Sequence, residues 1–203
     1  MKIIGIVTRK SISDENHNID IVYNDIVNAV KKNGGIPIGL ILEEDYKELL
    51  DICDGIIFQG GDELEEYDLK ALKYAYDKDI PVLGICLGMQ LMGVLFNGTL
   101  IEIPNHKKQL DYAHSIRIKR DSKLYEMFDK DIIKVNSRHK YVLKNTNLDI
   151  IGISNDGYIE AIEEKNKRFF LGIQWHPESM VYDEDQNKIF EYFINRCDES
   201  HIT

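Results

Sequence analysis

The chain of 203 residues predicts an α/β fold: a central, mostly parallel sheet with a mixed or antiparallel extension in the C-terminal half. Three observations carry this. Up to residue 85, short apolar runs alternate with stretches of helical spacing, the pattern of strands joined by right-handed helical crossovers. From residue 99 onward, strand-like pieces follow one another with little helix between them. Between the two halves, Gly84-Ile85-Cys86-Leu87-Gly88 runs an apolar strand straight into a helix.

Residues 3–7 read as a buried strand, and a polar loop follows through Asn18. Residues 21–30 have helical spacing in Ile21, Ile26, Val27 and Val30, and Asn33-Gly34-Gly35 stops that helix. Residues 36–42 read as a second strand, 45–53 as a short helix and 55–58 as a third strand. Residues 69–76 read as a helix and 82–85 as a fourth strand. In the second half, residues 99–103, 115–119, 132–135, 150–154, 158–163 and 169–173 read as strands. Asn155-Asp156-Gly157 marks a hairpin. Residues 183–196 close the chain as a helix with Ile189, Phe190, Phe193 and Ile194 on its apolar face. No repeat, low-complexity segment or linker interrupts the chain, so residues 1–203 are expected to form one domain.

Composition narrows the function classes. A chain of this length buries roughly 70% of the surface its unfolded form exposes, so it needs no covalent staple. Three cysteines without C-x-x-C spacing argue against a disulfide framework or a thiolate zinc site. Residues 1–7 form too short an apolar run for a signal peptide, and no run approaches the ~20 residues of a membrane span. A cytoplasmic location is expected. The formal charge of −10 opposes binding to nucleic acid or an anionic membrane. The acidic runs 43–45 and 63–68 read as solvated faces, and neither a metal nor a cofactor is expected.

The Gly-x-Cys-x-Gly segment is the thiol form of the nucleophile elbow, a cramped strand-to-helix turn that holds its nucleophile at the carboxyl end of a sheet. Glycines flank the turn because a Cβ there would meet backbone. The adjoining helix N-terminus favours thiolate over thiol. A nucleophilic cysteine needs a base and a group to orient it. Among six histidines, His176 ends the apolar strand-like run 169–175 and is followed by Pro177 and Glu178. The expected constellation is therefore Cys86, His176 and Glu178, with the carboxylate fixing the imidazole tautomer. Backbone N–H groups of Leu87 and of Gly60 or Gly61 are the candidate donors for an oxyanion. Asp62 reads as a cap for the following helix.

The segments Phe58-Gln59-Gly60-Gly61-Asp62, Leu83-Gly84-Ile85-Cys86-Leu87-Gly88-Met89-Gln90 and Leu171-Gly172-Ile173-Gln174-Trp175-His176-Pro177-Glu178 resemble the class I glutamine amidotransferase superfamily. The likeness is collinear from Met1 to about Cys197. It is strongest toward the γ-glutamyl-γ-aminobutyrate hydrolase branch, through Gly98-Thr99-Leu100, His114-Ser115-Ile116, Val135-Asn136-Ser137-Arg138-His139 and Ile159-Glu160-Ala161-Ile162-Glu163. The resemblance implies a flavodoxin-like three-layer fold and hydrolysis of a γ-glutamyl amide through a thioester on Cys86. It also implies that Gln90, Asn136, Ser137, Arg138 and His139 line the substrate pocket.

Read from the residues alone, Gln90 lies one helical turn from Cys86 and can face the same side. Arg138 reads first as a solvated surface arginine, though its guanidinium can fork a carboxylate. His139 and His114 read equally well as structural histidines, and His106 as part of a loop. The chain departs from the branch in three places: Leu87 stands where arginine is common, Lys140 follows His139, and the loop after Gly61 is short, with Tyr67-Asp68 its only echo of the longer one. These departures bear on the leaving amine.

Three functions follow. The first is a stand-alone cysteine hydrolase acting on a small γ-glutamyl amine or related amide. The second is the glutaminase subunit of an amidotransferase that supplies ammonia to a partner synthase. The third is a non-catalytic binding member of the fold, against which retention of all three site residues argues. The expected partner is a small γ-glutamyl molecule, and a homo-oligomer is compatible with the sequence.

Overall fold

The computed structural model describes residues 2–103 and 112–197; the expected loop around His106 lies outside them. In chain order the elements are β1 (Lys2–Val7), β2 (Arg9–Ile12), β3 (Asn18–Ile21), α1 (Asn24–Lys32), β4 (Gly35–Leu40), α2 (Tyr46–Asp51), β5 (Gly55–Phe58), α3 (Asp68–Asp77), β6 (Val82–Ile85) and α4 (Leu87–Leu95). There follow β7 (Thr99–Glu102), β8 (His114–Ile118), α5 (Lys123–Phe128), β9 (Ile132–Val135), β10 (Tyr141–Asn145), β11 (Asp149–Ser154), β12 (Ile159–Glu163), β13 (Phe170–Ile173), a 3-10 turn (Pro177–Met180) and α6 (Glu184–Arg196).

Nine strands form one sheet in the order β4-β1-β5-β6-β13-β12-β11-β8-β9. The first five are parallel to one another, and without the β2–β3 hairpin their order is the 2-1-3-4-5 of a flavodoxin-like sheet. The remaining four join by antiparallel pairing. The two regimes meet at β13, which pairs parallel with β6 on one side and antiparallel with β12 on the other. The central strands β5, β6 and β13 are buried on both faces, which is why they read as unbroken apolar runs. Ile57, Leu83, Ile85, Leu171 and Ile173 face a core closed by α1 and α6 through Ile26, Val30, Phe190 and Phe193. Ile56, Phe58, Val82 and Phe170 face the opposite core, with Leu50, Leu72, Met89 and Met92 from α2, α3 and α4.

Four features differ from the sequence expectation. The polar loop after β1 contains an antiparallel hairpin, β2 with β3. Its alternating polar residues are mostly exposed, so it lacks the apolar signature of a strand, and its turn is closed by Asn16 in a left-handed conformation (φ 62°). The hairpin takes Ile21 out of the expected helix by pairing it with Arg9, and α1 begins at Asn24. Asp62 does not cap α3, which starts at Asp68 after Tyr67; residues 61–67 intervene without regular structure. Helix α5 and strand β10 also went unread. The signal for α5 was Ser122, whose hydroxyl accepts from the Tyr125 backbone N–H at 3.2 Å as an N-cap. The Asn155-Asp156-Gly157 signal does join β11 to β12, with Gly157 at φ 90°.

The junction of β6 and α4 depends on two glycines. A Cβ at Gly84 would lie 2.5 Å from Met92 Sδ and 2.7 Å from the Gly88 carbonyl carbon, and one at Gly88 would lie 2.0 Å from the Phe58 carbonyl oxygen. Backbone cannot yield as a side-chain tip can. Gly88→Ala is expected to lower the unfolding free energy by about 3 kcal/mol or more. Gly39→Ala, where the nearest atoms are methyl carbons at 3.3 and 3.5 Å, is expected to cost far less. Urea denaturation of the two variants checks this; equal losses would contradict the close approach of α4 to β5.

Candidate active site

The site gathers at the carboxyl ends of β5, β6 and β13. Cys86 sits between β6 and α4 at φ 53° and ψ −103°, a left-handed conformation that costs a non-glycine residue about 1–3 kcal/mol. Its amide donates to the Ile173 carbonyl at 2.8 Å, and its own carbonyl accepts from Gln90 at 3.1 Å. The strained residue is thus fixed on both sides. The N–H groups of the first turn of α4 have no partners within the helix. Leu87 opens that turn next to the sulfur.

His176 lies just beyond β13 and leads into the Pro177–Met180 turn. Its backbone is held by one side chain: Asn136 Nδ2 donates to the His176 carbonyl at 2.8 Å, and the His176 amide donates to Asn136 Oδ1 at 2.9 Å. The ring Nδ1 lies 2.6 Å from Oε1 of the buried Glu178, which leaves Nε2 for the sulfur, and the ring is also hydrogen-bonded to Cys86. Burial of the imidazole alone would depress its pKa. The negative charges of Glu178 and Cys86, with hydrogen bonds to both, outweigh burial and push it up to about 10.

Around these groups is a hollow of about 260 Å³. Cys86, His176 and Glu178 form one wall, and Gly60, Gly61 and Asp62 another. A Cβ at Gly60 would lie 2.9 Å from His176 Cε1, so glycine lets the loop after β5 close onto the imidazole. Arg138 Nη1 donates to Ser179 Oγ at 3.0 Å, which donates to Asp25 Oδ2 at 3.0 Å; this chain forms the exposed rim. Tyr23 completes the lining. Burial and then the Asp62 carboxylate push its phenol pKa up, so it remains a proton donor.

Of the five residues expected to line the substrate pocket, Arg138 lies on the lining of the hollow at Cys86. Gln90, Asn136, Ser137 and His139 are buried behind it and are not among its lining residues. Gln90 Nε2 donates to the Tyr141 carbonyl at 3.0 Å and to Gln174 Oε1 at 3.2 Å. His139 Nδ1 lies 3.1 Å from the Tyr141 carbonyl. His139 and His114 approach the same oxygen of the buried Glu160, at 3.6 and 3.2 Å. Asn136 orients His176 rather than facing the hollow. Tyr23, Asp25 and Ser179 carried no sequence signal beyond the position of Ser179 next to Glu178. Buried Arg9 was also missed: it donates to the Gln59 carbonyl at 3.1 Å and to Asp68 Oδ2 at 2.7 Å, and so anchors the loop that carries Gly60.

A strained cysteine at a helix N-terminus, an imidazole hydrogen-bonded to it and a glycine loop facing both stand on a flavodoxin-like sheet, the arrangement of a glutamine amidotransferase-like cysteine hydrolase fold. The Peptidase C26 profile matches residues 2–66 and 63–178, and the chain belongs to that family. It is 30% identical to the glutamine amidotransferase-like protein RP404 of Rickettsia prowazekii, over 77% of this chain and 80% of the relative. It is 28% identical to a CTP synthase of Lactobacillus delbrueckii over 91% of this chain, but spans only 41% of that enzyme. Its fold matches the glutaminase domain of Trypanosoma brucei CTPS with bound acivicin at a TM-score of 0.77 and 16% identity, covering 100% of this chain and 96% of the other. Among the described residues no helix is long and apolar enough to cross a membrane, and no group of three or more His, Cys, Asp or Glu is placed to hold a metal ion.

Exposure does not separate Cys86 from the other thiols. It is 7% exposed, Cys53 is 9% and Cys197 is 1%, so the sulfur is more enclosed than an open cleft implies. Surroundings do separate them: burial and then the Asp54 carboxylate push the Cys53 thiol up to about 11, whereas Cys86 is hydrogen-bonded to the His176 ring. Limiting iodoacetamide at neutral pH, read by peptide mass spectrometry, is expected to alkylate Cys86 first. Equal labelling of Cys53 and Cys86 would contradict an activated thiolate.

Proposed function

We propose that the chain is a stand-alone hydrolase of γ-glutamyl amides, working through a γ-glutamyl thioester. The observation that carries this reading is the ring of His176, held between Glu178 and the Cys86 sulfur with its pKa raised to about 10. The imidazole beside the sulfur is therefore protonated at neutral pH. Sγ of Cys86 attacks the γ-carbonyl carbon, and the developing oxyanion is met by the N–H of Leu87 and that of Gly60 or Gly61. The C–N bond then breaks, and the His176 proton goes to the departing nitrogen. With His176 now neutral, it takes a proton from water, whose oxygen attacks the thioester to release glutamate and restore the thiolate. Arg138 forks the α-carboxylate of the glutamyl group from the rim, while Asn136 and Glu178 hold the imidazole.

A second reading, the glutaminase subunit of an amidotransferase that feeds ammonia to a partner synthase, is favoured by the likeness to CTP synthases, of which the chain spans a part. Steady-state kinetics of the purified chain separate the two. Turnover of a γ-glutamyl amine above that of L-glutamine supports the hydrolase; activity confined to glutamine, and only with a synthase present, supports the second reading.

The raised pKa also sets a pH dependence. The leaving nitrogen needs the His176 proton, which is retained below about 10 and lost above it, so kcat/KM is expected to fall as pH rises through that value. Glu178→Gln removes the charge that holds the proton. The alkaline limb should then move to lower pH, with a loss of maximal rate on the order of 100-fold or more. A pH–rate profile with its limb unmoved would remove Glu178 from this role.

A further inference from the structure

Behind the hollow at Cys86 the buried polar side chains form a closed ring. The Gln174 amide donates to the Glu160 carbonyl at 2.8 Å, and the Gln174 side chain accepts from Gln90 Nε2 at 3.2 Å. Gln90 Nε2 also donates to the Tyr141 carbonyl at 3.0 Å. The His139 ring meets that same carbonyl through Nδ1 at 3.1 Å and turns Nε2 toward the Glu160 carboxylate, 3.6 Å away. The contacts thus return to the residue where they began. His114 reaches the same carboxylate oxygen from β8 at 3.2 Å.

Donors and acceptors fix the roles around this ring. A carbonyl oxygen can only accept, so Gln90 presents its amide nitrogen to Tyr141, and His139 carries a proton on Nδ1. Gln174 must then offer its side-chain oxygen to Gln90. Glu160 is fully buried and His139 nearly so, and a carboxylate taken out of water needs a partner of opposite charge or a donor. Such a buried pair contributes little net stability, but it can hold one arrangement of the chain against others.

The arrangement in question is that of residues 136–139, which lead from β9 toward β10. His139 anchors their end in the interior. Asn136 and Arg138, at alternate positions, reach the segment that leaves β13: Asn136 takes both backbone groups of His176 at 2.8 and 2.9 Å, and Arg138 donates to Ser179 at 3.0 Å. Apart from a single bridge at Ser137 the stretch has no regular structure, so its hold on His176 depends on where His139 is pinned. We propose that Glu160 and His139 are positioning residues for the reaction: their pairing pins residues 136–139 and, through Asn136, sets the His176 imidazole against the Cys86 sulfur. The inference rests on the Cys86–His176 pair that both enzymatic readings share, and not on which amide is cleaved.

Alkylation of Cys86 by iodoacetamide at neutral pH tests this without a substrate. Glu160→Gln keeps the size of the side chain and removes its charge. His139→Asn keeps a donor near the Nδ1 position and removes the contact with Glu160. Each is expected to slow alkylation of Cys86 in the folded protein by roughly three- to tenfold, because a small displacement of the imidazole weakens its hold on the sulfur. With Asn136→Ala as background, Glu160→Gln is expected to add less than about twofold, since the two then act along one path. Circular dichroism and urea denaturation give the folded fraction, and His139→Asn carries the same cycle if Glu160→Gln does not fold. A Glu160 that serves stability alone would lower the urea midpoint and leave the alkylation rate of folded protein unmoved. That result overturns the proposal, as does a full further loss in the Asn136→Ala background. Failure of the chain to cleave any γ-glutamyl amide would overturn the hydrolase reading, while the alkylation cycle still decides the role of Glu160 and His139.

Discussion

The seating of α4 on the end of β5 is the constraint from which the site follows. Gly88 brings the first turn of the helix so close to Phe58 that a single added carbon would overlap its carbonyl oxygen. The chain must therefore turn from β6 into the helix within one residue, and that residue is Cys86 in a left-handed conformation. The same approach brings the glycine loop after β5 beside the sulfur. Strain at one residue, close packing at two glycines and the position of the thiol are one structural event.

The other half of the site comes from the antiparallel part of the sheet. β13 brings His176 level with Cys86 because it pairs in parallel with β6, Ile173 opposite Ile85. Its far side is covered by β12, and beyond that pairing Asn136 reaches in to hold both backbone groups of His176. The buried Glu160, between His114 and His139, supports the segment that carries Asn136. Gln90 and Asn136, which the resemblance set in a substrate pocket, thus bond instead to the segment that leaves β13.

Legibility followed burial. Strands β1, β5, β6 and β13 were readable because both faces are packed and their apolar runs have no other explanation. That Cys86, Gly60, His176 and Glu178 come together was readable because turns and strand ends constrain residue type locally. The β2–β3 hairpin was not, because its polar residues are stabilised by the pairing of the two strands with each other, which leaves no apolar period. Asp62 looked like a cap because aspartate before a helical stretch usually is one; the helix begins six residues later, and this carboxylate faces the hollow. Asn136 was expected to line the pocket, whereas it holds the backbone of His176, forty residues away in the chain. No local pattern records such a contact.

The junction at β13 also bears on how the molecule assembles. β6 and β13 are neighbours in space, with Val82 paired to Phe170, yet the six strands β7 to β12 lie between them in the chain. Closing so long a loop is entropically expensive until the contacts it permits are made, and topologies of this kind fold slowly. The turn that carries Cys86 joins neighbouring elements of the first half, while His176 comes beside it only when that closure is complete. Until then Cys86 has no imidazole beside it, so the hydrogen bond between the two side chains marks the closing of the sheet.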